Sequence, residues 1–234
     1  MVNNPFKEIT EGLGYEDYFR CRIIDPYVFC FDYAFTLDPH DPAEPIKKIP
    51  DVPYTRSYIK FWLENSNLLL VKSRQMMITW LTVALNLWLA MTQEGQYVFF
   101  ISKKEDDANF SSQLSLLSRA YFIYTHLPKE LHLRVYKKEQ PAMLLFPNKN
   151  STIHGVSQDS DALRQYTTSS LFFDEMAFQE NSEKSFASIK PTLDGMKRVL
   201  NVAGHKLVLP KFCGVSTPNG KRNLFAQLCH DESE

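Results

Sequence analysis

Lys72, Arg74 and Thr79 stand in one short stretch, Leu68-Leu69-Leu70-Val71-Lys72-Ser73-Arg74-Gln75-Met76-Met77-Ile78-Thr79-Trp80. An ammonium and a guanidinium neutralise phosphate oxygens, and a threonine hydroxyl is a ligand for Mg2+. Far downstream, Ser169-Ser170-Leu171-Phe172-Phe173 runs into Asp174-Glu175, an apolar segment ending in adjacent carboxylates. Such a pair suits triphosphate hydrolysis: the Asp holds Mg2+ through water and the Glu polarises the attacking water. A third apolar run, Lys211 to Ser216, ends in the polar turn Ser216-Thr217-Pro218-Asn219-Gly220.

The elements around these residues must hold them together. Four apolar residues, then a polar loop, then the apolar-periodic segment from Thr79 to Thr92, read as strand, tight loop and helix. That is the context in which backbone N–H groups and a helix N-terminus cradle phosphate. The usual phosphate-loop pattern is G-x-x-x-x-G-K-[ST]. With Thr79 at the hydroxyl position, Ile78 replaces the lysine, Met77 the second glycine and Lys72 the first. Met77 takes a left-handed backbone with difficulty, so the loop is expected to differ in shape. The cation would then come from Lys72 or Arg74. The same stretch also fits a plain strand–turn–helix with surface cations, and the acidic pair also fits two solvated carboxylates at a strand end.

Further along, Tyr54–Glu64 reads as a helix and Gln96–Ser102 as a second core strand. Lys103–His126 reads as one long amphipathic helix, with Phe110, Leu114, Leu117 and Tyr121 on its apolar side. Ala142–Phe146 and Thr152–Val156 read as a hairpin around Pro147-Asn148-Lys149-Asn150, Asp159–Thr168 as a polar loop and Ser182–Leu193 as a helix. Lys206–Leu209 and Lys211–Ser216 read as strands, and Asn223–Cys229 as a last helix. Strands alternating with helices imply an α/β domain on a mostly parallel sheet, with the three polar strand ends at its carboxyl edge.

The 234 residues suffice for one large domain with a real core, at 44% hydrophobic and 13% aromatic content. A net charge of −1 argues against a surface that coats nucleic acid by charge alone. The pairs Lys103-Lys104, Lys137-Lys138, Lys197-Arg198 and Lys221-Arg222 are the local basic candidates. Cys21, Cys30, Cys213 and Cys229 lack metal-ligand spacing and read as reduced structural thiols. No apolar run spans a bilayer and the N-terminus lacks a signal-peptide core, so no membrane association is expected. Residues 1–53 are rich in Pro, Asp and aromatics and read as an irregular arm, followed by the catalytic domain at 54–229 and the start of a linker at 230–234.

The Lys72–Trp80 loop with its Arg-Gln pair, the Leu171–Glu175 strand end and the Ser216-Thr217-Pro218-Asn219-Gly220 turn resemble the large terminase subunit of tailed bacteriophages. These are DNA-packaging motor ATPases. The resemblance covers roughly residues 50–228. It implies a P-loop NTPase core of the additional-strand, RecA-like kind, with ATP and Mg2+ as cofactors. It assigns Lys72, Ser73, Arg74, Gln75, Met76, Met77, Ile78 and Thr79 to the phosphate loop, with Lys72 and Arg74 on phosphate and Gln75 shaping the loop. It makes Thr79 and Asp174 the Mg2+ side, Glu175 the catalytic base, and Ser216 with Thr217 the γ-phosphate coupling motif. Arg164, eleven residues before Glu175, resembles the trans-acting arginine finger of a neighbouring subunit, and it reads equally as a loop arginine in a salt bridge. Tyr54 and Arg56 stand where the family has its adenine-side motif, and both also suit packing.

The resemblance further implies double-stranded DNA, the portal protein and the small terminase subunit as partners. It implies a homo-oligomeric ring on the portal and work in the cytoplasm of the infected host. The sequence leaves no long apolar stripe for a strong obligate interface, so a monomer is expected in dilute solution. The family's nuclease domain normally follows. Fourteen residues after Gly220 leave it no room, so none is expected in this chain. The competing readings are a helicase-like ATPase of the same core and a degenerate scaffold with little turnover, the latter favoured by Met77-Ile78.

Overall fold

The computed structural model describes residues 21–39, 41–157, 167–183, 186–187, 190 and 197–230. Its centre is a seven-stranded sheet. In chain order the strands of the protein are β1 (Phe35–Leu37), β2 (Ile46–Lys48), β3 (Asn67–Val71), β4 (Tyr97–Ser102), β5 (Tyr136–Glu139) and β6 (Ala142–Phe146). Then come β7 (Ser151–Ser157), β8 (Ser170–Asp174), β9 (Arg198–Val202), β10 (His205–Leu209) and β11 (Lys211–Ser216). The main helices are α1 (Pro53–Glu64), α2 (Ile78–Thr92), α3 (Leu116–Thr125) and α4 (Leu224–His230).

The sheet order is β3-β11-β8-β4-β7-β6-β5. The first five strands are mutually parallel, and β6 and β5 add antiparallel pairs. One strand, β11, is inserted between β3 and the strand that ends in Asp174. This is the additional-strand arrangement of a RecA-like P-loop core. The ends of β3, β11, β8 and β4 meet on one edge, so the polar residues after each become neighbours.

The central strands are buried because helices cover both faces, and a strand buried twice must be apolar throughout. Alternation divides the side chains. Val98, Phe100 and Phe172 join the larger core beneath α1, α2 and α3, and Phe99, Ile101, Leu171 and Phe173 join a smaller one with Met176 and Phe225. Helix α2 is apolar on all sides and buried from Trp80 to Met91. Its buried polar groups are satisfied: Thr82 Oγ1 lies 2.6 Å from the Tyr58 hydroxyl, and Ser170 Oγ donates to Asn86 Oδ1 at 2.6 Å. These bonds tie α2 to α1 and β8. The lead-in residues reach the same core, with Phe29 and Cys30 fully buried and Trp88 Nε1 donating to the Ile23 carbonyl at 2.9 Å.

Several expectations need correction. The predicted long helix over 103–126 is broken into a single turn, Glu105–Ala108, and α3. The break is a serine- and asparagine-rich run whose side chains take the backbone's hydrogen bonds. Asn109 Oδ1 accepts from the Ser111 N–H at 2.7 Å, and Ser115 Oγ donates to the Asn109 carbonyl at 2.6 Å. Strand β3 is an edge strand with Leu68–Leu70 only half-buried, because a single neighbour, β11, covers it. Strand β10 matches the predicted Lys206–Leu209, whereas β1, β2, β9 and the exposed Tyr136–Glu139 strand escape the apolar pattern on which the reading rests. The predicted loop at 159–168 and helix at 182–193 fall largely outside the described residues.

Lys211 anchors the first residue of β11. Its side chain is fully buried, and its Nζ donates to the carbonyls of Trp62, Leu63 and Asn65 at the end of α1. Burial pushes this ammonium down to about 7, while three carbonyls at the negative end of a helix favour the charged form. Lys211→Met is expected to leave those acceptors without a donor, costing about 3 kcal/mol. The check is thermal unfolding, which should drop by roughly 10 °C.

Candidate active site

Non-glycine residues in left-handed backbone mark the loops on the sheet edge. Gln75 has φ 62°, Met77 has φ 57° and Glu175 has φ 48°. Each such residue costs on the order of 1 kcal/mol or more, and such strain concentrates at functional sites. Met77 therefore does take the conformation that the missing glycine would supply, and it caps the N-terminus of α2. The expectation that the loop avoids it is wrong at this position. Ile78, in the lysine position, is 3% exposed and belongs to the core.

The candidate phosphate loop leaves β3 with the Lys72 N–H donating to the Ser216 carbonyl at 3.0 Å. Lys72 Nζ then reaches Glu175 Oε1 at 2.8 Å. The other oxygen, Oε2, accepts from the Thr217 N–H and Thr217 Oγ1, each at 3.1 Å, with Ser216 Oγ at 3.3 Å. Ser216 Oγ also accepts from the Ala177 N–H at 3.1 Å, which fixes the turn after Glu175. One carboxylate thus joins the loop of β3 to the end of β11. Beside it Thr79 Oγ1 donates to Asp174 Oδ1 at 2.9 Å.

Electrostatics separate the two acids. Burial raises the Asp174 carboxyl above its usual range, opposed by Arg119, Lys72 and the Thr79 hydroxyl. Burial also acts on Glu175, but the Lys72 and Thr217 hydrogen bonds overcome it and hold this carboxyl low. Glu175 is therefore ionised at neutral pH, as a base must be.

A cavity of about 490 Å³ opens here, with Arg74, Lys103, Arg119, Asp174, Glu175 and Thr217 on its wall. Arg74 is exposed, as are Ser73 and Gln75. Met76 is half-buried, and its carbonyl accepts from the Tyr54 hydroxyl at 3.3 Å. Tyr54 thus braces the loop from α1. Arg56 is turned away: it pairs with Asp51 at 2.5 Å and lies over the rings of Tyr27 and Phe31. That pair borders a larger cavity, about 630 Å³, where His205 Nε2 also lies 3.4 Å from Asp25 Oδ2. Arg164 lies outside the described residues. Arg119 is the site residue that sequence reasoning missed, since it reads as one charged position of an amphipathic helix.

The donor set fits Mg2+ with a nucleotide. Mg2+ takes one or two protein oxygens and completes its shell with water and substrate phosphates. The Thr79 hydroxyl and Asp174 carboxylate form such a pair, and among the described residues no cluster of three or more His, Cys, Asp or Glu competes for a metal. Among those residues, no helix is long and apolar enough to cross a membrane.

No protein-family model matches the chain, and no curated protein matches it in sequence. Solved structures do match in fold. The large terminase of bacteriophage HK97 superimposes with a TM-score of 0.65 at 12% identity, over 94% of this chain and 41% of that one. The large terminase ATPase domain of Thermus phage P74-26 superimposes with a TM-score of 0.54 at 16% identity, over 75% of this chain and 68% of that domain. This chain therefore has the fold of phage large terminase ATPase domains, and it spans about two fifths of the HK97 protein.

Proposed function

We propose that the chain is the ATP-hydrolysing motor domain of a tailed-phage large terminase, driving double-stranded DNA into a procapsid. The observation that carries this is the Glu175 carboxylate gripped between Lys72 and Thr217, beside the Thr79–Asp174 pair, at one edge of the sheet. Lys72 and Arg74 bind the phosphates. Thr79 and Asp174 hold Mg2+, which when bound neutralises charge on the phosphoryl oxygens. Glu175 orients the attacking water and takes its proton. Ser216 and Thr217 read occupancy of the γ-phosphate position, because Glu175 cannot hold water and keep all of its present bonds.

The remaining parts of the reading are assembly and partners. Arg164 completes a neighbour's site in a homo-oligomeric ring on the portal protein, with the small terminase subunit delivering DNA. A degenerate scaffold is the second reading, favoured by the buried Ile78 in the lysine position. Steady-state ATP hydrolysis with Mg2+ decides between them. Slow turnover is expected from dilute protein, with activity per chain rising as concentration brings Arg164 into a neighbour's site. Hydrolysis no faster than the Glu175→Ala background at every concentration would leave the scaffold.

A further inference from the structure

Arg119 enters the site from α3, an element separate from the loop that carries Lys72 and Arg74. Its Nε donates to the Leu114 carbonyl at 2.7 Å, and its guanidinium lies over the Trp80 ring, 5.2 Å from the centroid. Among the described residues its two terminal nitrogens meet no hydrogen-bond acceptor. Arg119 lines the cavity shared by Asp174, Glu175, Thr217 and Arg74. The break in the helix over 103–126 makes this possible, because the Leu114 carbonyl is free of a helical partner and can fix the guanidinium.

The charge balance gives this arginine a task. The loop carries Ile78 where a lysine would face the β/γ-phosphates, and Lys72 must share its ammonium between Glu175 and any phosphate it binds. Arg74 is exposed and has no fixed partner among the described residues, so ordering it costs side-chain entropy. Arg119 is already oriented by Leu114 and Trp80, and a preset guanidinium fork loses little freedom on taking a phosphate oxygen.

Resting on the ATPase reading, we propose that Arg119 is a cis-acting ligand of the γ-phosphate, replacing from α3 the charge that the phosphate loop lacks at Ile78. It distinguishes a nucleoside triphosphate from a diphosphate within a single subunit. It also makes α3 an element that feels hydrolysis, since loss of the γ-phosphate removes the anion its terminal nitrogens hold.

The test compares binding of ADP and a non-hydrolysable ATP analogue, each with Mg2+, by titration calorimetry on the full chain. Arg119→Ala is expected to weaken the triphosphate by at least about tenfold, the loss of one charge-assisted contact. ADP affinity should stay within roughly twofold. Arg119→Lys should recover part of the triphosphate affinity, which a merely structural role would not produce. Equal weakening of both nucleotides, or no change in either, overturns the proposal. If Arg119→Ala does not fold, Arg119→Gln carries the same ratio test, and an unchanged triphosphate-to-diphosphate ratio overturns it. A wild-type chain that binds neither nucleotide overturns the ATPase reading itself, and shows this before any substitution is made.

Discussion

Glu175→Gln is expected to lower ATP turnover by ~10²–10⁴-fold, the usual contribution of a positioned general base. The amide keeps the size of the side chain and an acceptor for the Thr217 N–H and hydroxyl. It loses the negative charge that polarises water and pairs with Lys72. Nucleotide binding should survive or tighten, because Lys72 is released from the carboxylate and becomes free for phosphate. Single-turnover hydrolysis and equilibrium binding, measured on the same preparation, separate these effects. Full turnover in the variant would remove Glu175 from the mechanism. Joint loss of binding and turnover would instead make the carboxylate a structural tie between β3 and β11.

Much of this arrangement is legible in the sequence because it rests on strong local signals. Leu171–Phe173 is apolar without alternation and ends in carboxylates, and a doubly covered parallel strand shows that pattern. The strand–loop–helix around Lys72–Thr79 is legible from its order of apolar run, polar turn and apolar helix, even without the usual glycines. Its shape is not. Met77 and Gln75 occupy left-handed backbone that side-chain type disfavours, and only the constraint of β3 on one side and α2 on the other holds them there. The error at Lys103–His126 has a similar origin. Apolar spacing there is helical, but Asn109, Ser111 and Ser115 redirect the backbone, and the redirected segment is what brings Arg119 to the cavity. Arg119 reaches the cavity by stacking on Trp80 beside Asp174, and Lys211 ties β11 to the end of α1; both depend on contacts between residues distant in the chain, which no local pattern encodes.

Lys72→Met is expected to weaken ATP binding by roughly tenfold to a hundredfold, the value of a charge-assisted hydrogen bond. The methionine keeps the buried stem of a side chain that is only 9% exposed, so packing changes little. Ile78→Val is the matched control: it alters a core residue of the same loop and should leave affinity unchanged, since an apolar side chain holds no phosphate. A second consequence concerns pH. In the free protein, burial raises the Glu175 carboxyl, and the Lys72 and Thr217 bonds bring it below its ordinary value. Removing Lys72 deletes the largest of those lowering influences, so the carboxyl must rise. A base with a raised pKa takes up its proton at higher pH. The acid limb of kcat/KM, which reports the free enzyme, should therefore move upward in Lys72→Met. In Ile78→Val it should stay in place. A weakened affinity with an unmoved acid limb would mean that Lys72 serves phosphate without poising the base. An unmoved limb together with unchanged affinity would remove the ammonium from both roles and leave Arg74 and Arg119 as the cations that hold the triphosphate.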